Sequence, residues 1–240
     1  MNSHQLSNDP GQQALYTLIQ RSIAKAGGWM AFDRFMALAL YAPGLGYYAN
    51  SLRKFGLTPE TGSDFATAPE MSPWFGRTLA HQIAQALQVT QTQEVWEFGA
   101  GSGALALQLL DTLGDAVQRY TIVDLSGTLR ERQQETLRQY AHKVNWVNAL
   151  PDQLQGVVVG NEVLDAMPVQ LLVRKNGVWH ERGVVWQENS DQPMQWQDRV
   201  THLRPPLEVS GEHDYLTEIH SQAAAFVSTL ADRFNASVSC

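Results

Sequence analysis

Cysteine is all but missing from this sequence: one residue, Cys240, stands at the very end of 240. A single thiol excludes an internal disulfide and any cysteine-built zinc site, and it fits a reducing compartment. An excess of positive charge is missing too. Lys and Arg number 17 against 24 Asp and Glu, a net charge of −7, so the electrostatic footprint of a nucleic-acid binder is not there. No apolar run approaches the roughly 18 residues that cross a bilayer. The opening residues, "MNSHQLSNDPGQQ", hold no Arg and no apolar core and read as neither signal nor transit peptide, which makes the cytoplasm the expected compartment. Metal-ligand spacing is lacking among the seven histidines. His213 and His220 sit seven apart on an expected helix and read as a solvated face, so no metal is expected. What remains, 44% hydrophobic and 17% charged residues, is the composition of an ordinary globular protein, one large domain or a domain with an appendage.

Residues 12–26 place Leu15, Leu18, Ile19, Ile23 and Ala26 on one helical face, and Gly27-Gly28 ends that helix. A second helical segment covers 31–40. Residues 41–76, rich in Gly, Pro, Thr and Ser, read as a long irregular loop of the kind that carries function. A helix over 73–88 follows, with Phe75, Leu79, Ile83 and Leu87 four apart. Strands over 94–99, 120–125, 144–148 and 156–160 then alternate with helices over 102–112 and 127–141. That rhythm predicts a doubly wound parallel sheet, with its ligand at the carboxyl ends of the strands. Residues 169–187 form two β-type runs around Asn176-Gly177, a hairpin signal. The polar stretch 188–212 reads as loop. The final helix, 214–234, aligns Ile219, Ala223, Phe226, Leu230 and Phe234. Trp179, Trp186 and Trp196, around the hairpin, suggest a small β core.

The stretch "VWEFGAGSGALALQLL" puts Gly99, Gly101 and Gly103 at every second position between a strand and a helix. A nucleoside-triphosphate loop needs Gly-Lys-Ser/Thr at its end, and Gly103 is followed by Ala-Leu-Ala. A dinucleotide reading survives, since Gly99, Gly101 and Ala104 satisfy G-x-G-x-x-A. Glu97 favours a different ligand. A carboxylate at the end of that strand, expected to point into the crevice, repels a pyrophosphate but suits the ammonium and sulfonium of S-adenosylmethionine. Backbone N–H groups of the loop can take the methionine carboxylate at the helix N-terminus. Asp124, 25 residues after Gly99, ends the next strand, where a carboxylate accepts ribose hydroxyls or caps the following helix. Acid, glycine loop and second acid together suit a class I methyltransferase.

The flanking text is more specific. "GYYANSLRKFGLTPETGSDFATAPEMSPWFG", the glycine loop and "GNEVLDAMPVQ", in that order, resemble the MidA-type family of S-adenosylmethionine-dependent methyltransferases over about residues 15–235. That family includes the mitochondrial complex I assembly factor that methylates a protein arginine. Ser63-Asp64-Phe65 stands where the family has Gly-Asp-Phe. The resemblance implies an α/β fold, a Rossmann-like core with an N-terminal helical cap and a β-hairpin insertion. The expected layout is cap and covering loop 1–92, cofactor-binding core 93–168, hairpin insertion 169–212 and C-terminal helix 213–240. It also places Asp64, Thr67, Pro69 and Glu70 over the cofactor, S-adenosyl-L-methionine, with Tyr47, Tyr48 and Phe65 as a shield against water. The family pattern runs on into a further strand ending in Asp-Tyr-Gly, whereas this sequence stops at "LADRFNASVSC". Four core strands are visible where about seven are usual. The expectation is an incomplete sheet, unstable and inactive by itself.

A protein arginine as acceptor requires groups that hold a guanidinium whose pKa exceeds roughly 12 and draw charge from it. Asn161, Glu162 and Asp165 follow the fourth strand. Glu162 and Asp165, three apart, share one face if that segment makes a helical turn. Two rivals stand beside this reading: an NAD-dependent oxidoreductase using the G-x-G-x-x-A pattern, and a non-catalytic assembly or binding protein that keeps the pocket only as structure.

Overall fold

A computed structural model describes residues 9–49, 67–124, 127–208, 210–211 and 213–234. Asp64 and Phe65 lie outside the described residues. Along the chain come α1 (Pro10–Lys25), β1 (Met30–Ala31), α2 (Phe32–Tyr41), α3 (Ala68–Met71), α4 (Pro73–Thr90), β2 (Glu94–Phe98) and α5 (Ala104–Leu113). Then follow β3 (Arg119–Val123), α6 (Gly127–Thr136), β4 (Val144–Val147), β5 (Val157–Gly160), β6 (Gln170–Lys175) and β7 (Val178–Trp186). Last come β8 (Met194–Val200), β9 (Tyr215–Ile219) and α7 (Ser221–Arg233). They fall into two compact units, Met1–Ser51 with Asp165–Phe226, and Leu52–Leu164 with Val227–Cys240.

The first unit is built on an antiparallel sheet. β7 pairs with β6, with β1 and, along its whole outer edge, with β8; β9 pairs with β6. Asn176 and Gly177, at φ 49° and 75°, make the two-residue turn between β6 and β7. Ile19 and Ile23 of α1 pack on Met30 and Val184, with Phe32, Phe35 and Trp186 around them. Asp9 caps α1 by accepting from the Gly11 N–H at 3.0 Å. Gly28 N–H reaches back to the Ile23 carbonyl and Gly27 N–H to Ala24, both glycines at positive φ, so the helix ends where the double glycine predicts.

Two expectations fail in this unit. Residues 188–212 are not all loop, because 194–200 form β8. Its sequence, "MQWQDRV", is exposed along most of its length, and the alternation that Met194 and Trp196 begin is broken at Asp198. Its register is set across the pair by Asp198, whose carboxylate takes both Arg182 Nε at 2.8 Å and Arg182 Nη2 at 3.0 Å. Nor is 214–234 one helix: 215–219 form β9, and helix begins only at Ser221. Of the expected stripe Ile219 falls in β9, drawn there by pairing with β6, while Ala223, Phe226 and Leu230 lie in α7. His213 and His220 are accordingly not on a common helix. His220 Nδ1 accepts the Ala223 N–H at 3.2 Å, at the start of α7.

The second unit holds a parallel sheet in the order β4-β3-β2-β5. Chain order runs outward from β2 to β3 and β4, then jumps back to β5 on the other side of β2. The ends of β2 and β5 are therefore a topological switch point. Val95, Tyr120, Ile122, Val144 and Val159 from the strands meet leucines of α5 and Ala80, Ile83 and Leu87 of α4 in one core. The buried stripe of α4 is Gly76, Ala80, Ile83 and Leu87, while Phe75, expected inside, is 36% exposed. The helix expected over 127–141 ends at Thr136 and continues as a 3-10 turn, Arg138–Tyr140. At the chain's far end Leu154 bridges to Phe234, and the Leu154 N–H donates to the Arg233 carbonyl at 2.6 Å.

Candidate cofactor site

The glycine loop leaves β2 at the switch point and enters α5. Gly99, Gly101 and Gly103 have φ of 64°, 54° and 84°. Gly101 matters most: a Cβ built there meets nothing within 4 Å among the described residues, so the loop leaves space at its centre. Gly103 N–H donates to the Ala100 carbonyl at 2.8 Å, and the Gly103 carbonyl starts α5 by accepting from Leu107 at 3.0 Å. Behind the loop lies α6. Gln133 Nε2 donates to the Gly101 carbonyl at 3.1 Å, and Thr136 Oγ1 to the Ser102 carbonyl at 2.9 Å.

Asp124 follows the last residue of β3, with its N–H on the Val147 carbonyl at 3.3 Å. Its Oδ2 accepts from Gln133 Nε2 at 2.9 Å. Glu97 was expected to aim into the crevice. It is instead 1% exposed, on the same face of β2 as Val95, and its Oε2 accepts the Tyr120 hydroxyl at 2.7 Å. Burial pushes its pKa up to about 7, against the Tyr120 hydrogen bond, which lowers it, and with the help of the Asp124 charge, which raises it.

Thr67, Pro69 and Glu70 fall at α3. Gln108 of α5 ties this turn down, Nε2 donating to the Pro69 carbonyl at 2.7 Å while Oε1 accepts the Gly76 N–H at 2.9 Å. Glu70 Oε2 is buried and has no hydrogen-bond partner among the described residues, an acceptor that a bound cation or donor would satisfy.

Asn161, Glu162 and Asp165 follow β5. The helical turn that would align Glu162 with Asp165 is not there, because Glu162 sits at φ 55°. A left-handed glutamate is uncommon and costs of order 1 kcal/mol or more, a strain that gathers at functional segments. Both Glu162 and Asp165 are exposed. In the first unit, Tyr41 donates to the Ala166 carbonyl at 2.6 Å, and its pKa is raised by burial and then by Asp165. Tyr48, expected as a shield, stacks on Tyr41 at 5.6 Å, and Tyr47 meets Tyr48 edge-on at 5.0 Å. Gln108, Gln133 and Tyr120 escaped the sequence reading. Their role comes from partners between 9 and 39 positions away, on other elements, and no local pattern marks them.

A family profile described as "Putative S-adenosyl-L-methionine-dependent methyltransferase" matches residues 78–238. The chain belongs to this family. The matched residues include the glycine loop, Asp124, Gln133 and Glu162. Among relatives in this methyltransferase family, the crystal structure of a Burkholderia thailandensis protein bound to S-adenosyl-homocysteine is 43% identical. It superposes with a TM-score of 0.81 over 95% of this chain and 62% of its own. A Caenorhabditis elegans protein named a protein arginine methyltransferase NDUFAF7 homologue, mitochondrial, is 25% identical over 65% of this chain and 43% of its own length. The Danio rerio protein arginine methyltransferase NDUFAF7, mitochondrial, is 26% identical over 87% of this chain and 56% of its own. The chain thus spans about half the length of the curated relatives it matches. Its α/β fold, with a Rossmann-like parallel sheet, is the fold of the family.

Proposed function

We propose that this chain binds S-adenosylmethionine and transfers its methyl group to an arginine side chain of a protein, in the cytoplasm. The observation that carries the cofactor half is Gly101: a positive-φ glycine that leaves space beside it at a switch point, between a buried Glu97 and Asp124. Support comes from the 43% identical relative, whose crystal structure holds S-adenosyl-homocysteine. Gly99, Gly101 and Gly103 would take the methionine end, and Asp124 the ribose hydroxyls. Among the described residues a buried oxygen of Glu70 still lacks a donor, and the ligand's ammonium supplies one. Pro69 accompanies it on α3 and Thr67 is the N-cap residue of that helix; the family resemblance assigns Asp64 to the same ligand.

S-adenosylmethionine supplies an electrophilic methyl group on a sulfonium. The chain's part would be to hold the accepting nitrogen with carboxylates and to pass to one of them, or to water, the proton that nitrogen loses as the methyl leaves sulfur. A guanidinium stays protonated at a pKa above roughly 12, so the residues that act on it must be carboxylates placed to accept its N–H groups. Glu162 is proposed for that role, with Asn161 and Asp165 in the same loop. The left-handed backbone of Glu162 is the feature in its favour. The names of the NDUFAF7 relatives support arginine as the acceptor.

Calorimetry on the chain tests the first half. S-adenosylmethionine and S-adenosylhomocysteine are expected to bind and NAD is not; tighter binding of NAD overturns the reading. Radiolabelled methyl transfer to a cell extract, followed by acid hydrolysis, tests the second. Label recovered as methylarginine is expected. Label in methyl-lysine or in a small molecule removes the arginine assignment, and binding without transfer favours a non-catalytic assembly protein.

A further inference from the structure

Gln133 is fully buried, and each of its polar atoms is engaged. Its two amide hydrogens go to the Gly101 carbonyl at 3.1 Å and to Asp124 Oδ2 at 2.9 Å. Its oxygen accepts the indole N–H of Trp146, on β4, at 2.9 Å. An indole nitrogen only donates, so Trp146 fixes the sense of the amide. Flipping Gln133 would set N–H against N–H on one side and oxygen against two acceptors on the other.

The consequences reach both ends of the proposed ligand. Peptide planarity points the Ser102 N–H opposite to the Gly101 carbonyl that Gln133 holds, and therefore away from α6. Thr136, one turn further along α6, holds the next carbonyl, that of Ser102. The same amide that orients this peptide also holds one oxygen of Asp124 and so helps to fix the plane of its carboxylate. A Cβ built on Gly103 would lie 3.5 Å from Gln133 Cα, so the loop runs close along this stretch of α6.

We infer that Gln133 is a positioning residue for the cofactor. Through one amide, oriented by Trp146, it sets the glycine-loop peptide for the methionine end and Asp124 for the ribose. This rests on the cofactor reading above. No atom of Gln133 needs to touch the ligand.

The test is calorimetry with S-adenosylhomocysteine on the full chain and its variants, each with a melting curve. Gln133→Met keeps the length and removes both donors, and is expected to weaken binding about 10-fold or more, the scale of one buried charge-assisted hydrogen bond. Gln133→Glu, isosteric but facing Asp124 with a second carboxylate, is expected to be no better. Trp146→Phe keeps both donors but frees the amide to flip, and is expected to weaken binding by a smaller factor of a few. Combining Gln133→Met with Asp124→Ala is expected to cost less than the product of the two single losses, since the first acts partly through the second. A Gln133→Met chain that melts lower yet binds with unchanged affinity, or losses that simply multiply, overturns the relay. If Gln133→Met does not fold, Trp146→Phe decides: unchanged affinity overturns the inference. Failure of the unsubstituted chain to bind S-adenosylhomocysteine sinks the cofactor reading itself, a result distinguishable from the others.

Discussion

Glu97 carries its carboxyl group inside a core, with the Tyr120 hydroxyl as its donor and Asp124 as a repelling neighbour. Its folded pKa of about 7 lies above the ordinary 4.5, so the folded chain keeps a proton that the unfolded chain releases between those values. The contribution of this group to stability is therefore greatest below about pH 4.5, falls as pH rises to about 7 and is level above. The fall amounts to roughly 3 kcal/mol by the linkage relation. Urea denaturation across that window should show a slope that Glu97→Gln flattens, and equal slopes for the two chains would mean that Glu97 is solvated. At Gly101 a β-branched residue meets two obstacles at once, a φ of 54° and a side chain in the space left for the ligand. Gly101→Val is expected to abolish binding of S-adenosylhomocysteine in calorimetry. Glu162→Gln separates the two halves of the proposed reaction. Methyl transfer should be lost while cofactor affinity stays within about 3-fold, under 1 kcal/mol. A loss of cofactor affinity as large as that from Asp124→Ala would remove Glu162 from the acceptor side.

Among the elements of the second unit, α5 and α6 do more than cover the sheet. Each sends a glutamine to a backbone segment that no regular hydrogen bonding holds. Gln108 spans the Pro69 carbonyl of α3 and the Gly76 N–H of α4, and a Cβ at Gly76 would lie 2.5 Å from its own Cβ. The four-residue α3 is too short to be stable alone. Gln108→Leu leaves a buried donor and a buried acceptor unpaired and is expected to cost about 1–3 kcal/mol in chemical denaturation. Because α3 carries Glu70, the same variant should also weaken S-adenosylhomocysteine; unchanged stability would show that water replaces the amide at no cost. Helix and hairpin signals in the sequence held wherever chemistry next door in the chain decides the outcome. The double glycine after α1, Asn176-Gly177 and the strand–helix alternation from 94 to 160 are of that kind. β8 was not legible, because its short apolar alternation, Met194 and Trp196, is broken by Asp198 inside a polar stretch, and the strand is defined by its partner β7.

For the whole molecule, the division into two units has a consequence for ligand linkage. Every described residue proposed to hold the cofactor, Gly99 through Asp124 and Thr67 through Glu70, belongs to the second unit. A ligand that binds only the folded state stabilises by about 2.7 kcal/mol at 100 times its Kd. Hydrogen exchange with saturating S-adenosylhomocysteine should therefore slow the amides of β2, β3, the glycine loop and α6, while the strands of the first unit keep their ligand-free rates. Equal protection in both units would show that they unfold together.

From the sequence alone came the doubly wound core, the glycine loop with Asp124 behind it, and the family. The first two rest on local rules, a strand–helix rhythm, glycines in a turn and a carboxylate ending a strand, and the family on the resemblance of the motifs around them. Tertiary structure alone decided that Glu97 lies in the core on Tyr120 and that residues 215–219 pair with β6 as a strand. It also decided that Gln133 joins Gly101, Asp124 and Trp146. Ile219 continues the apolar stripe of the helix that follows it, and only the presence of β6 draws it into a strand. A buried glutamine looks like any helical glutamine until the groups that need its two hydrogens are brought to it from elsewhere in the chain.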